Sequence, residues 1–413
     1  MTTRGRLAEA AGFDPWSPAF VADPYPAYAG LREGPPVTWF EPSRQFLVSR
    51  YGDVSALLRD RRLGRSYLHV ATHEEMGRAP DPPHLEPFWT LIRAGMLDVE
   101  PPDHTRLRRL VSAEFTPRRV ESLRPRITEL AEALVDELLD AGSDGSAVDL
   151  KAVVAEPLPV AVIAEMLGVP PADQHLLRPW SADICGMYEL EPSRKAQDTA
   201  VRAAVEFSAY LRDLARHHRA HPGTDLLSAL TQVVDHGDRL TEDELVGTCV
   251  LLLNAGHEAT VNMTANGWWA LLRHPDELAR LHADPGLLPT AIEELMRFDT
   301  PLQMFERYVL EDVELHETEM PRGSEVALLF GSANRDPARF PDPDRLDISR
   351  TGNAHLSFGA GVHFCLGAPL ARLELVSSFA AVLARAPDLA PAAEPEWGPG
   401  YVIRGLRSLP VTL

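Results

Sequence analysis

Cysteine is scarce in this chain. Three residues of 413, at positions 185, 249 and 365, stand too far apart for a disulfide framework, a zinc pair or a redox motif, which implies a reducing compartment. No uncharged apolar run approaches the ~18 residues of a membrane span, and the first twelve residues hold no apolar stretch of the kind that directs secretion. Positive charge is also in deficit. Against 60 Asp and Glu there are 40 Lys and Arg, a formal net charge of -20, which argues against nucleic acid and against an anionic membrane surface as partners. No internal repeat is apparent. These absences predict a cytoplasmic protein with no membrane and no nucleic-acid partner. What the chain has is apolar content, 45%, ample for a sizeable core.

One stretch organises the rest: Phe358-Gly359-Ala360-Gly361-Val362-His363-Phe364-Cys365-Leu366-Gly367-Ala368-Pro369-Leu370-Ala371-Arg372. Two glycines around a small residue permit a tight turn lying against something flat. From Leu366 the sequence reads as a helix with Pro369 in its first turn, so Cys365 is placed at a helix N-terminus. Unpaired N–H groups and the positive end of the helix dipole are expected to lower the thiol pKa there and prepare it as ligand or nucleophile. Lone cysteines in reducing compartments are more often small buried hydrophobes, and Cys185 and Cys249 are assigned to that class. As a nucleophile Cys365 would need a base, for which His363 is close, but no oxyanion-hole signature accompanies it. A thiolate on a metal whose other positions are filled by a macrocycle fits better.

In chain order, prolines punctuate residues 14–36, and 37–40 with 45–49 read as a β-hairpin around a four-residue loop. Asp53 is expected to cap a following helix. Residues 64–97 hold no period and mix His69, His73, Phe88, Trp89 and Met96 with prolines, the pattern of a substrate-contacting loop with short helical pieces. A helix starts at Pro102 or Asp103 and sets His104 and Arg108 one turn apart on one face. Helices are predicted over 124–140, 149–167 with a disturbance at Pro157 and Pro159, 171–178, 194–220 and 225–234. The segment 185–192, with Met187 and Tyr188, reads as a second loop that contacts substrate. Thr241-Glu242-Asp243-Glu244 is a capping box, and the helix it opens runs to about His274. Its apolar centre is interrupted by Asn254-Ala255-Gly256-His257-Glu258-Ala259-Thr260, costly in a buried helix unless something polar or flat lies against it. Val326 to Phe330 reads as a strand, and Gly398-Pro399-Gly400-Tyr401-Val402-Ile403 as a turn leading into a last strand.

The Phe-Gly-x-Gly-x-His-x-Cys-Leu-Gly-x-x-Leu-Ala-Arg pattern resembles the haem-binding loop of the cytochrome P450 family, soluble bacterial type, at every fixed position. The resemblance covers roughly residues 14 to 413. It implies one mainly α domain with small β-sheets over residues 1–413, of which 1–13 form a flexible terminus. It implies haem b (iron protoporphyrin IX) as cofactor, with Cys365 the iron ligand, His104, Arg108, Arg307 and His363 as cofactor contacts, and Glu258 feeding protons. Trp89, Met187, Ala255, Phe305 and Val402 become the expected substrate contacts. Glu294 and Arg297 match the family's buried Glu-x-x-Arg pair, with Arg345 or a backbone carbonyl as its further partner. The implied function is a monooxygenase that inserts one oxygen atom from O2 into a C–H bond or alkene of a hydrophobic small molecule in secondary metabolism. With no flavin or iron–sulfur segment in the chain, a separate ferredoxin and NAD(P)H ferredoxin reductase are expected. They would dock on a basic patch of Arg106, Arg109, Arg118, Arg119 and Arg372.

One position departs from the family pattern. Where the family carries a threonine beside the acid, this chain has Ala259, with a threonine one place later at Thr260. Successive helix positions differ by about 100°, so Thr260 is not a simple substitute. Proton delivery is then expected to use Glu258 with ordered water or a substrate hydroxyl. The departure keeps a non-insertion oxidation, such as oxidative coupling or ring formation, as the alternative.

Overall fold

In the computed structural model, which describes residues 11–234 and 237–413, the helices that position the site are, in chain order, α1 (Asp103–Ser112), α2 (Arg124–Ala141), α3 (Pro157–Leu167), α4 (Gln174–Cys185), α5 (Arg194–Ala220), α6 (Glu242–Leu272), α7 (Leu288–Phe298) and α8 (Ala368–Arg385). The capping box forms as the sequence predicts. Thr241 Oγ1 accepts from Glu244 N at 3.2 Å, and the Glu244 carboxylate accepts from Thr241 N at 2.8 Å. From that start α6 runs 31 residues through the centre of the molecule and packs against α3, α4, α5, α7 and α8. It stops at Leu272, two residues short of the expected end, because Pro275 opens the next helix and biases the preceding His274 to an extended conformation (φ -124, ψ 70).

The main sheet joins β1 (Val37–Phe40), β2 (Gln45–Val48), β3 (Leu63–Gly64), β4 (Phe305–Val309) and β5 (Glu325–Leu328) in the order β1-β2-β5-β4-β3. The hairpin pairs Val37 with Val48 and Phe40 with Gln45, as its alternation requires. β2 runs parallel to β5, and β4 antiparallel to it with Arg307 opposite Val326.

Several expectations are corrected. Asp53 lies inside the first turn of its helix, which begins at Tyr51 after Arg50; its carboxylate bonds His316 Nε2 at 2.8 Å instead of a backbone N–H. The piece expected over 171–178 continues through Pro179 to Cys185, because Leu177, Ser181, Ile184 and Cys185 are buried and their packing outweighs one missing N–H. Within 149–167 the disturbance is a turn of π-helix, Lys151–Ala155, ahead of α3. Residues 401–403 form no strand ladder; Ile403 makes a single bridge to Leu302, and the last strand is Pro410–Thr412. Of the terminus expected to be flexible, residues 1–10 lie outside the described residues, and Phe13 is buried, 3% exposed, among Phe20, Tyr28, Phe40 and Tyr401.

Candidate active site

Both glycines of the Cys365 loop adopt left-handed conformations, φ 67 at Gly359 and φ 72 at Gly361. At Gly361 a Cβ would also lie 2.3 Å from the Leu58 carbonyl, so the loop lies against the end of the Tyr51–Leu57 helix. Cys365 N donates to Phe358 O at 3.0 Å and closes the loop on itself. α8 begins at Ala368, three residues after the cysteine, and the thiol receives the Gly367 and Ala368 N–H groups. The expected lowering of its pKa is overturned. Burial raises it, and those N–H groups with the charges of Arg108 and Arg372 do not compensate. The local helix-end argument holds, but desolvation is larger.

Beside the loop stands a group of buried charges. His104 and His363 face each other with ring centroids 4.4 Å apart. His363 Nε2 lies 3.2 Å from Glu100 Oε1, an oxygen that also accepts Arg65 N at 2.5 Å. Burial first, then the charges of His363 and Arg108, hold the His104 imidazole down at about 4. Its Nε2 is buried with no hydrogen-bond partner among the described residues. Arg307 is 3% exposed, and its guanidinium donates to its neighbour's carbonyl, Glu306 O, at 2.9 Å. Burial and the nearby Arg65 pull its pKa down to about 9. The Phe305 ring is near both guanidiniums, 4.7 Å from that of Arg65 and 4.6 Å from that of Arg307. Arg108 donates to Val362 O at 3.3 Å and Phe364 O at 2.7 Å, the carbonyls on either side of His363. Arg65, inside the irregular 64–97 segment, and Glu100, just after it, escape sequence reasoning.

α6 turns an unusual face. Ala255 and Ala259, one turn apart, are exposed although the helix around them is largely buried. Both side chains are small, so this face of α6 is left accessible in the middle of an otherwise buried helix. Gly256 faces α3, where a Cβ would meet Ile163 at 3.3 Å, and Thr260, one turn further on, is buried at 5%. Thr260 therefore points away from the face of Ala259, as the helical angle predicts. The Glu258 carboxylate is raised by burial, lowered by Lys151, raised again by Glu156 and lowered by Arg178, with a net upward shift. Glu156 links those two cations, 3.6 Å from Lys151 Nζ and 2.5 Å from Arg178 Nη2.

The other expected contacts divide. Met187 and Trp89 are partly buried against the main core. Trp89 Nε1 is buried without a partner among the described residues, and Arg93 lies over its ring at 4.9 Å. Val402 is 7% exposed and packs with Tyr401, Met304 and Leu329. Asn254, on α6 just before Ala255, is 2% exposed and lies beside the buried Tyr188 hydroxyl. Glu294 and Arg297 are paired and buried, and Arg297 donates to backbone carbonyls as expected, that of Arg345 among them; the Arg345 side chain turns to Asp347, and Arg350 and Asn353 are the further side-chain partners of Glu294, each at 3.1 Å. The basic patch is corrected too. Arg106 pairs with Glu244, Arg109 with Asp238, Arg119 with Glu114 and Arg372 with Glu293, while Arg118 is exposed.

A planar macrocycle bearing an iron and two carboxylates fits these residues. It needs one axial donor, a flat face of small side chains, and buried cationic or N–H partners for its acids. Cys365, the Ala255 and Ala259 face, and His104 with Arg307 meet those needs. The chain belongs to the cytochrome P450 family, whose model matches residues 286–385. It is 45% identical over 400 residues to cytochrome P450 monooxygenase PikC of Streptomyces venezuelae, covering 95% of this chain and 91% of that protein. It is 40% identical to 6-deoxyerythronolide B hydroxylase of Saccharopolyspora erythraea, covering 96% and 98%. The crystal structure of P450BioI in complex with an acyl carrier protein ligated to hexadec-9Z-enoic acid superposes with a TM-score of 0.88 at 36% identity, covering 96% of this chain and 100% of that one. The protein is thus an oxidoreductase with haem as cofactor, a monooxygenase that inserts one oxygen atom from O2 into a C–H bond or alkene of a hydrophobic small molecule. Its bacterial relatives use redox partners. No described helix is long and apolar enough to cross a membrane.

Proposed function

We propose that Cys365 ligates the haem iron, that His104, Arg307 and Arg108 hold the propionates beside His363, and that Ala255 and Ala259 form the ceiling under which substrate lies. The observation that carries this reading is the exposure of those two alanines in the middle of the buried α6. Bound haem supplies the iron at which dioxygen is reduced and its O–O bond cleaved. The protein's own part is to orient the substrate, exclude water and hold a proton. Glu258 is the proton holder. Burial favours its neutral form, and the Lys151, Glu156 and Arg178 group, in which Arg178 is 55% exposed, connects it to solvent.

The substrate we propose is a large hydrophobic molecule bearing oxygen substituents, of the polyketide kind that 6-deoxyerythronolide B hydroxylase is named for. Phe305, Met187 and Trp89 supply apolar surface, and Asn254 with Tyr188 supplies a polar spot above it. A hydroxyl on such a substrate can stand where Ala259 lacks one. The electron donors we propose are a ferredoxin and its NAD(P)H reductase; with four of the five named arginines ion-paired, their docking is expected to depend only weakly on salt.

The test has two parts. The reduced protein under carbon monoxide should show the strongly red-shifted Soret band of a thiolate-ligated carbonyl adduct, and Cys365→His should abolish it. The oxidised protein is then titrated with 6-deoxyerythronolide B, testosterone and myristic acid. A low-to-high-spin change, with one labelled oxygen recovered in product from 18O2, supports the assignment for whichever compound gives it. A response to the fatty acid alone would reject the polyketide class.

A further inference from the structure

Between α4 and α5 the chain makes one turn of 3-10 helix, Gly186–Tyr188, and becomes extended at Glu189. The Glu189 side chain leaves its own neighbourhood and reaches the C-terminal tip, residues 398–403. Its Oε2 accepts from Tyr401 N at 2.9 Å and Val402 N at 3.1 Å, and its Oε1 from Ile403 N at 3.2 Å. Three successive N–H groups converging on one carboxylate make an anion-binding concavity, and hydrogen bonds to an ionised acceptor are among the stronger ones.

The tip is shaped for this guest. A Cβ on Gly400 would lie 2.8 Å from Glu189 Oε1, so a side chain there would displace the carboxylate. The tip is also held from behind: Val402 O accepts from Gln303 N at 3.0 Å, and Ile403 bridges to Leu302. Gln303 in turn accepts from Tyr28 Oη at 2.9 Å and donates to Thr300 O at 2.6 Å. One partner is fixed to the core, and the other is a short connection between two helices.

The residues that Glu189 anchors are the two before it, one of which lies beside α6. Tyr188 precedes it directly, with its buried hydroxyl beside Asn254 of α6 and near Asp98 and Arg65. Met187 packs against the main core one place earlier. The segment 185–192 and the tip that carries Val402, each expected to contact substrate, are thus joined by one side chain.

We infer that Glu189 is a positioning residue, a latch whose carboxylate fastens the α4–α5 connection to the C-terminal tip, closing the distal side of the cleft and setting Met187 and Tyr188 over α6. This rests on the assignment of that cleft to substrate. Two consequences follow from the geometry. Breaking the latch speeds entry and exit of a bulky ligand while leaving a small one unaffected, and it frees the three amides at the tip.

The experiment uses the full-length holoenzyme, its carbonyl band first confirmed in the wild type so that a failure of the haem assignment is seen separately. Glu189→Gln and Gly400→Ala are compared singly and together. Amide hydrogen exchange is followed at Tyr401, Val402 and Ile403, and binding of clotrimazole and of imidazole is followed by the Soret shift in stopped flow. Faster exchange at the three amides, and clotrimazole association and dissociation roughly tenfold faster with imidazole rates unchanged, is the expected result. The double variant should add little to either single one, because both remove the same contact. Unchanged protection at the tip overturns the latch. So does equal acceleration of both azoles, which would mark general loosening, or fully additive effects of the two substitutions.

Discussion

Glu294 and Arg297 hold each other with neither side chain exposed to solvent, Arg297 Nε to Glu294 Oε2 at 2.7 Å and Nη2 to Oε1 at 2.8 Å. Each has further partners. Glu294 also accepts from Asp347 N at 3.0 Å and from Arg350 Nε and Asn353 Nδ2 at 3.1 Å; Arg297 donates to the Asn334 and Pro343 carbonyls at 2.9 Å. The pair thereby clamps α7 to the irregular stretch 334–353 that leads into the Cys365 loop. Removing one partner strands the other charge in the core. Arg297→Leu should cost roughly 3–5 kcal/mol, read as a lower denaturant midpoint at unchanged slope. Arg297→Lys should also be destabilising, since a single ammonium cannot reproduce the fork. A midpoint for Arg297→Leu equal to that of wild type would refute the clamp.

Retention of the cofactor tests the buried cationic group. His104 Nε2 has no partner among the described residues, and Arg307 is depressed by burial and by Arg65, so each gains from a carboxylate placed against it. Substituting His104→Phe or Arg307→Leu should speed transfer of haem to apomyoglobin by roughly tenfold each, about the value of one charge-assisted hydrogen bond. Arg118→Ala, on an exposed residue, serves as the control and should leave the rate unchanged. If neither substitution speeds release, the propionates lie elsewhere.

What could be read ahead of folding was local. Cys365, its glycine turn and the His104 and Arg108 spacing are set by neighbours in sequence, and so are the capping box and the hairpin. Arg65 and Glu100 were not legible because they stand 35 residues apart and meet only in the folded chain, where Arg65 N donates to Glu100 Oε1. The basic patch failed for the same reason: the arginines are visible in sequence, but Asp238, Glu244, Glu114 and Glu293 become their partners only through packing and local turns. The Cys365 thiol was misjudged because a helix end is a local feature and desolvation is a property of the whole fold.

Acid stability should depend on His257. This residue is 2% exposed, with Nδ1 3.3 Å from Ser181 Oγ. Burial, then the charges of Arg178 and Lys151, hold it at about 4 in the folded protein. Unfolded, it takes up a proton near ~6.5. Between those values the unfolded chain binds more protons than the folded one, so stability falls as pH drops through that window and is flat with respect to this group outside it. The loss should reach roughly 3 kcal/mol, at about 1.4 kcal/mol per unit. Urea midpoints at pH 7, 5.5 and 4.5 should therefore fall less steeply in His257→Gln than in wild type; parallel declines would remove His257 from the acid limb.

The Ala259 departure separates two routes for the proton. Ala259 is exposed on the cleft face and Thr260 is buried on another, with its carbonyl already accepting the Thr264 hydroxyl at 2.9 Å. A hydroxyl useful to the reaction must therefore be restored at 259 or come from the substrate. Glu258→Gln should lower product formation by roughly a hundredfold, as loss of a positioned proton donor does. Thr260→Val should leave it within about twofold, the cost of a repacked side chain away from the cleft. Ala259→Thr should raise product formed per reductant on a substrate lacking hydroxyl groups, with less hydrogen peroxide released. On a hydroxyl-bearing substrate the same substitution should bring no gain, because the added group competes for the position the substrate already fills. Loss of coupling in Thr260→Val, with none regained in Ala259→Thr, would instead place Thr260 in the proton path and require α6 to rotate.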